Sequence, residues 1–344
     1  MKKFIKGSLY AAVSAIIVTA ASTDVYSKDR ILRADTGSPG GSAHTATVVI
    51  GKVLGSRLGF TTQVNDSQTL TRSALKLGRG QLDWFPMPTA IPFLMQKGVG
   101  PYKKEPMKSK AAAQIKNIRG LWGWNANYFH FVTFKVDEIK NFSDLKGKIV
   151  YTGPPSGAAA VTSESIIKTL TGFKPNVDYK AKRMPWGGGL QAMMDGKLDV
   201  YVRPCPVGCA ILEQLGMKKE FRLLDVANAG LLKKWTKHPA RISGIIPAGA
   251  YGAQVNKDKN IIAAGTTFFI AVNKNNISAD LAYKMTKVSW DHLNEIHKSA
   301  KTLSAINKKT PFVGVNVPLH IGAVKYYREV GMKIPARLLP PEAK

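Results

Sequence analysis

The sequence predicts an α/β protein of two lobes, with parallel and mixed sheets, two hinge crossings and a ligand cleft between the lobes. Three observations predict it. Short β-rich runs alternate with helical segments along most of the 344 residues. The alternation falls into two series with the same order of parts. A glycine-rich turn stands near the head of each series, at Thr36 to Gly41 and at Thr152 to Ala158. Alternation of this kind gives parallel strands covered by helices, and two such halves leave a crevice as the natural ligand site.

In the first series Arg30 to Asp35 reads as a strand, Ala43 to Leu58 as a helix, Thr61 to Asn65 as a strand and Thr69 to Leu77 as a helix stopped by Gly78. Leu82 to Phe85 is the third strand. Pro86 to Pro106, with five prolines, reads as a loop or broken segment. Ile118 to Leu121 and Tyr128 to Phe134 are β-like. The second series has a strand at Lys148 to Tyr151, a helix at Ala158 to Leu170, a strand at Tyr179 to Met184, a helix at Leu190 to Met194 and a strand at Leu198 to Val202. Phe268 to Val272 is a late strand, and Asp280 to about Ala305 reads as one long helix that returns to the first half. The expected division is 29–132 plus 269–344 for lobe 1 and 133–268 for lobe 2, joined by crossings near Phe131 to Lys135 and Thr266 to Val272.

Met1 to Ser22 has Lys2, Lys3 and Lys6, an apolar run from Leu9 to Ala20, then small residues. This is the three-part pattern of a cleaved secretory signal peptide, with cleavage expected between about 21 and 28. The run is shorter than the roughly 20 apolar residues of a spanning helix. Export to a periplasm follows. The formal charge is +28, and +25 without the three leader lysines. The lysines and arginines are spread along the chain rather than gathered into a stripe, so a nucleic-acid partner is not expected. A positive field does raise the encounter rate with an anion. Cys205 and Cys209 lack the spacing of a redox or zinc pair; a bridge and a pair of small buried hydrophobes both remain open. The six histidines are scattered, and His292 and His297 do not share a helix face as metal ligands would. No nucleophile elbow or phosphate-loop motif is present, so neither catalysis nor a cofactor nor a metal is expected.

The turns carry the chemistry. In each, a strand ends and a helix begins within a few residues, which exposes backbone N–H groups to the crevice and favours an anion. The candidate ligand residues here are Ser38, Gly40, Gly41, Ser42 and His44 in the first turn and Ser156, Gly157 and Ala158 in the second, with Ser156 as a candidate cap. Trp186-Gly187-Gly188-Gly189 lies between a strand and a helix, where three glycines suggest a close backbone approach and Trp186 a wall for the ligand. Arg203 follows a strand and precedes Pro204, which sets a guanidinium at a sheet's carboxyl edge, able to grip a carboxylate in two places.

Thr36-Gly37-Ser38-Pro39-Gly40-Gly41, Leu145-Lys146-Gly147-Lys148, Gly153-Pro154-Pro155-Ser156-Gly157 and Asp195-Gly196-Lys197-Leu198-Asp199 resemble the TAXI family of TRAP-transporter solute receptors. So do Ile246-Pro247-Ala248-Gly249-Ala250-Tyr251 and the ending from Pro318 to Glu329. The resemblance implies a periplasmic-binding-protein architecture, a small carboxylate such as glutamate or 2-oxoglutarate as ligand and a membrane permease as partner. A monomer is expected. The sequence departs from the family where Ser42-Ala43-His44 replaces Thr-Tyr-Tyr and where Ala158 replaces a threonine. Arg203 and Trp84-Phe85-Pro86 are also atypical. A receptor for an ABC importer, a periplasmic sensor, and a basic protein acting on nucleic acid or envelope polyanions are the alternative readings.

Overall fold

The computed structural model describes residues 30–226, 229–237 and 241–343. The expected leader and His238 lie outside them. β1 (Arg30–Asp35), α1 (Ser42–Leu58), β2 (Phe60–Asn65), α2 (Leu70–Gly78) and β3 (Trp84–Pro88) follow the expected order. β1 and β2 pair in parallel, and the Asp83 N–H donates to Arg33 O, which ties β1 to the start of β3. The proline-rich stretch is not a loop: it contains the end of β3 and α3 (Ala90–Lys97), followed by α4 (Met107–Gln114). Pro92 stands in the first turn of α3, where a missing N–H costs no helical bond. Thr89 takes part by donating from its hydroxyl to Gly314 O, so a distant segment holds the start of the helix.

β4 (Ile118–Thr133) joins the two short runs into one strand. The second series is β5 (Ile149–Gly153), α5 (Ala158–Thr171), β6 (Lys180–Arg183), α6 (Trp186–Met194), β7 (Val200–Cys205) and α7 (Ala210–Lys218). After β8 (Arg222–Leu223), α8 (Ala229–Thr236) and β9 (Arg241–Ile246), the long β10 (Ile261–Asn273) leads to α9 (Ala279–Asp291), α10 (Leu293–Ser299) and α11 (Ile321–Glu329). The expected long helix is broken at His292, whose ψ of 24° leaves the helical range, and α9 and α10 are separate.

Besides the β1–β2 pair, the strands form one sheet in the order β3-β10-β4-β7-β5-β6, with β8 on β4 and β9 on β10. β5 is parallel to β6 and β7, whereas β10 runs antiparallel to β3, β4 and β9. The larger sheet is therefore mixed, because the two long strands run against the βαβ units they connect, whereas the β1–β2 sheet is parallel. Buried side chains divide into clusters. One includes Leu32, Trp84, Trp122, Phe269 and Tyr327; the others are built around Phe131, Ile167 and Val200 and around Tyr151, Leu212 and Tyr251. Membership changes between Ala126 and Phe129 on β4 and between Ala264 and Phe268 on β10. The β4–β10 register slips at that level, where Thr266 pairs with Asn127 but Thr267 with Asn125, the mark of a bulge that bends and twists a strand.

Trp186 to Gly189 is the first turn of α6 rather than a loop before it. A Cβ on Gly189 would stand 2.4 Å from the Tyr151 ring, whereas one on Gly187 would meet nothing within 4 Å. The close approach foreseen for this triplet is thus made to Tyr151, a buried core side chain. Gly189→Ala is expected to lower stability by about 1–3 kcal/mol in urea unfolding, and Gly187→Ala to change it by less than about 0.5 kcal/mol. Equal effects at the two positions would show that the Tyr151 contact does not constrain the helix.

Candidate functional site

The two glycine-rich turns have the same geometry. Gly41 N–H donates to Ser38 O and Gly157 N–H to Pro154 O, each at 3.0 Å. Pro39 and Pro155 occupy the second position of each turn, and Gly40 (φ 73°) and Ser156 (φ 59°) the third, in the left-handed region. These are the requirements of a type II turn. Gly41 and Gly157 then cap α1 and α5 with φ −79° in both, and neither cap supplies a side-chain hydrogen bond. The first-turn N–H groups of both helices are left for another partner.

Both helix starts line one cavity of about 110 Å³. A water needs roughly 10–15 Å³ on this measure, so the space is of the size of a small organic molecule. Ser38, Gly41, Ser42, Gly157, Ala158, Trp186 and Arg203 line it, as the sequence reading expected of a site. Gly40, His44, Ser156 and Gly187 do not line it. Gly40 and Ser156 are exposed at the turn corners, Gly187 points into open space, and His44 is half-buried in α1. Ser156 is also not the cap of α5, which is Gly157. The Ser156 backbone oxygen accepts a hydrogen bond from Thr71 Oγ1 at 2.9 Å, joining α2 to the turn before α5.

Arg203 stands inside β7, opposite His130 of β4, and is only 3% exposed. Its guanidinium carbon lies 4.4 Å from the centre of the Trp186 ring, a cation–π contact. Trp186 in turn meets Tyr151 edge-on, and Tyr151 stacks on Tyr201 at 5.1 Å. The Arg203 Nη2 donates to Ser38 Oγ at 3.3 Å. The buried Nε has no hydrogen-bond partner; the Tyr201 hydroxyl feels the guanidinium's charge but lies outside hydrogen-bond geometry. Among the described residues no acidic side chain pairs with Arg203. Gly41 is tied to the same feature, since a Cβ there would come within 3.1 Å of Arg203 Nη2.

Sequence reasoning missed the remaining walls. Asn127 accepts a short hydrogen bond from Ser42 Oγ, and Phe129, Phe268, Leu70 and Ile91 supply apolar surface. Phe129 and Phe268 come from β4 and β10, whose pairing joins residues far apart in sequence; Ile91 comes from the segment read as a loop. Trp84 and Phe85, noted as unusual, are fully buried core residues away from the cavity.

Behind Arg203, Cys205 and Cys209 form a disulfide, which resolves the two alternatives in favour of a bridge. His130, 1% exposed, lies against it, with Nδ1 donating to Tyr128 O at 3.0 Å and Nε2 accepting from the Tyr251 hydroxyl at 2.9 Å. Tyr251 accepts from Gly208 N–H within the bridged loop. Desolvation lowers the His130 pKa from 6.5 to about 4, the neighbouring Arg203 charge adding to it. His320 is also buried, and its pKa is lowered by desolvation.

The match to protein families comes from residues 34–331, which fit the model described as "NMT1-like family". The chain belongs to the NMT1-like family. Solved structures similar to it include the alkanesulfonate-binding protein SsuA from Xanthomonas axonopodis pv. citri bound to MOPS, at 14% identity over 92% of this chain and 96% of that one, TM-score 0.47. A TRAP periplasmic solute-binding protein from Pseudomonas aeruginosa PAO1 with bound L-malate matches at 10% identity, 91% and 94% coverage and TM-score 0.47. Another from Ralstonia eutropha H16, with bound (S)-2-acetolactate, matches at 13% identity, 90% and 88% coverage and TM-score 0.46.

The buried imidazole gives this NMT1-like protein a pH signature. Below about pH 6.5 the unfolded chain takes up a proton at His130 that the folded chain refuses until about pH 4. Stability present above pH 6.5 is therefore lost as the pH falls through that window, by about 3 kcal/mol from this group. His130→Gln is expected to remove that share of the slope between pH 6.5 and 4 in chemical unfolding, leaving the His320 share. An unchanged slope would show that His130 titrates normally in the folded protein.

Proposed function

We propose that the protein is the periplasmic receptor of a TRAP-type secondary transporter and binds a small organic anion, in the first instance a carboxylate, between two lobes. The observation that carries the reading is the buried guanidinium of Arg203, which faces the cavity without an acidic partner among the described residues. An isolated buried charge costs several kcal/mol, and an oxyanion bound along the Nε/Nη2 edge of the fork relieves that cost. The uncapped starts of α1 and α5 add backbone donors and the positive ends of two helix dipoles. Ser38, Ser42 and Asn127 supply further hydrogen-bonding groups within the cavity wall.

In this reading the lobes are 29–132 plus 269–344 and 133–268, give or take the few residues of β4 and β10 over which the cores change. They pivot about those two strands. The Thr71 to Ser156 bond belongs to the closed form, in which the anion is shut away from water and a surface complementary to the permease is completed. The leader at Met1 to Ser22 directs export. The segments shared with TAXI receptors, from the Ser38 turn to the Pro318 to Glu329 ending, support a permease driven by an ion gradient. Solute uptake by cells carrying receptor and permease should then stop when the ion gradient is collapsed, and should persist when ATP alone is depleted.

Native mass spectrometry of the freshly purified mature protein is expected to show a retained small anion. In calorimetry with that anion, Arg203→Ala should weaken binding at least about 30-fold, the range for truncating one partner of a buried charge pair. Affinity unchanged by Arg203→Ala would sink the proposal.

A further inference from the structure

The geometry points to a narrower ligand class: a monoanion with an apolar body, bound in preference to dicarboxylates and to amino acids. The inference rests on the receptor reading above and adds to it the charge and shape of the ligand.

Arg203 is the one charged side chain in the cavity wall among the described residues. The other polar side chains there, among them Ser42, Gln68, Thr71 and Asn127, are neutral. A zwitterionic amino acid brings an ammonium group that needs a carboxylate, and none lines the cavity. Its burial beside neutral hydroxyls would leave a charge unpaired. Lys76, which neighbours the cavity residue Gln68, and Asp35 are already engaged with each other. The Asp35 carboxylate accepts from Lys76 at 3.0 Å, Ser73 at 2.8 Å and Asn65 at 3.2 Å. Lys76 reaches Gln68 Oε1 at 3.4 Å but remains bound to Asp35.

A dicarboxylate meets the matching deficit. The start of α1 converges with Arg203, as the 3.1 Å approach of Nη2 to the Gly41 Cβ position shows. One carboxylate consumes both. The start of α5 remains for the second, and a helix end supplies about half a charge, short of what a desolvated carboxylate requires.

The rest of the wall is apolar. Leu70, Ile91, Phe129 and Phe268 line the cavity together with Pro88 and Pro154. Such a surface gains from hydrocarbon at roughly threefold to fourfold per buried methylene and gains nothing from a second polar group. One anchored anionic end and one greasy end therefore fit the two kinds of wall.

The test is isothermal calorimetry on the mature protein, unfolded and refolded to strip any retained ligand, with butyrate, hexanoate, phenylacetate, hexanamide, 2-oxoglutarate and L-glutamate. Hexanoate or phenylacetate is expected to bind more tightly than butyrate, and at least tenfold more tightly than hexanamide, 2-oxoglutarate or glutamate. Arg203→Ala should bring hexanoate down to the level of hexanamide. If 2-oxoglutarate or glutamate binds as tightly as the best monocarboxylate, the ligand class is overturned while the receptor reading stands. If no probe binds, the exact mass of the ligand retained by the unstripped protein decides the class: a monoanion supports it, and a dicarboxylate or amino acid overturns it. If no probe binds and nothing is retained, both readings fall.

Discussion

The structure is organised around one charge that the protein does not neutralise. Arg203 is carried into the interior by β7, paired with β4, where its side chain is almost fully buried in the cavity wall. An ion pair would be the ordinary remedy, and none is made among the described residues. The chain uses softer means: the π face of Trp186, the hydroxyl of Ser38 and a nearby tyrosine hydroxyl. Each lowers the cost of the buried cation without cancelling it. The surplus is the basis of the proposed selectivity, since a bound anion would restore the balance that the protein alone leaves incomplete.

Much of the neighbouring structure positions that guanidinium. Trp186 is held by Tyr151, Tyr151 by Tyr201, and the helix bearing Trp186 can close on Tyr151 because residue 189 has no side chain. Gly41 is small for the same reason at the opposite wall. Beside the arginine, on the adjoining β4, His130 together with Tyr251 fixes the loop closed by the disulfide, which begins two residues beyond Arg203. These contacts belong to packing, yet their effect is to hold one planar fork in a defined orientation.

The sequence shows some of this and conceals the rest for physical reasons. The two turns are legible because proline at the second position and glycine or serine at the third are local demands of the backbone. Arg203 is legible as a cavity residue, although the sequence set it just past a strand ending at Val202 and β7 in fact runs on through Cys205. Asn127, Phe129 and Phe268 are not, since they reach the cavity through pairing between strands more than 100 residues apart, and local patterning is silent about such partners. The proline-rich stretch after β3 misleads because proline is harmless in the first turn of a helix. The three glycines after Trp186 do report a close approach, but not with what; the neighbour is a core tyrosine 38 residues earlier. The cysteines gave no preference, because a spacing of four suits both a bridge and a buried pair.

The two long strands carry one more consequence, for the order in which the molecule can be assembled. The core containing Trp84 and Trp122 also needs Phe269, Met285 and Tyr327, from the last quarter of the chain. The cores around Phe131 and Tyr151 draw on residues from 128 to 264. As a nascent chain lengthens, the middle portion can therefore complete its packing while the portion that emerged first still waits for partners. The half of the protein that begins the sequence is the last to be finished, and until then its strands offer open edges to whatever holds the unfolded chain.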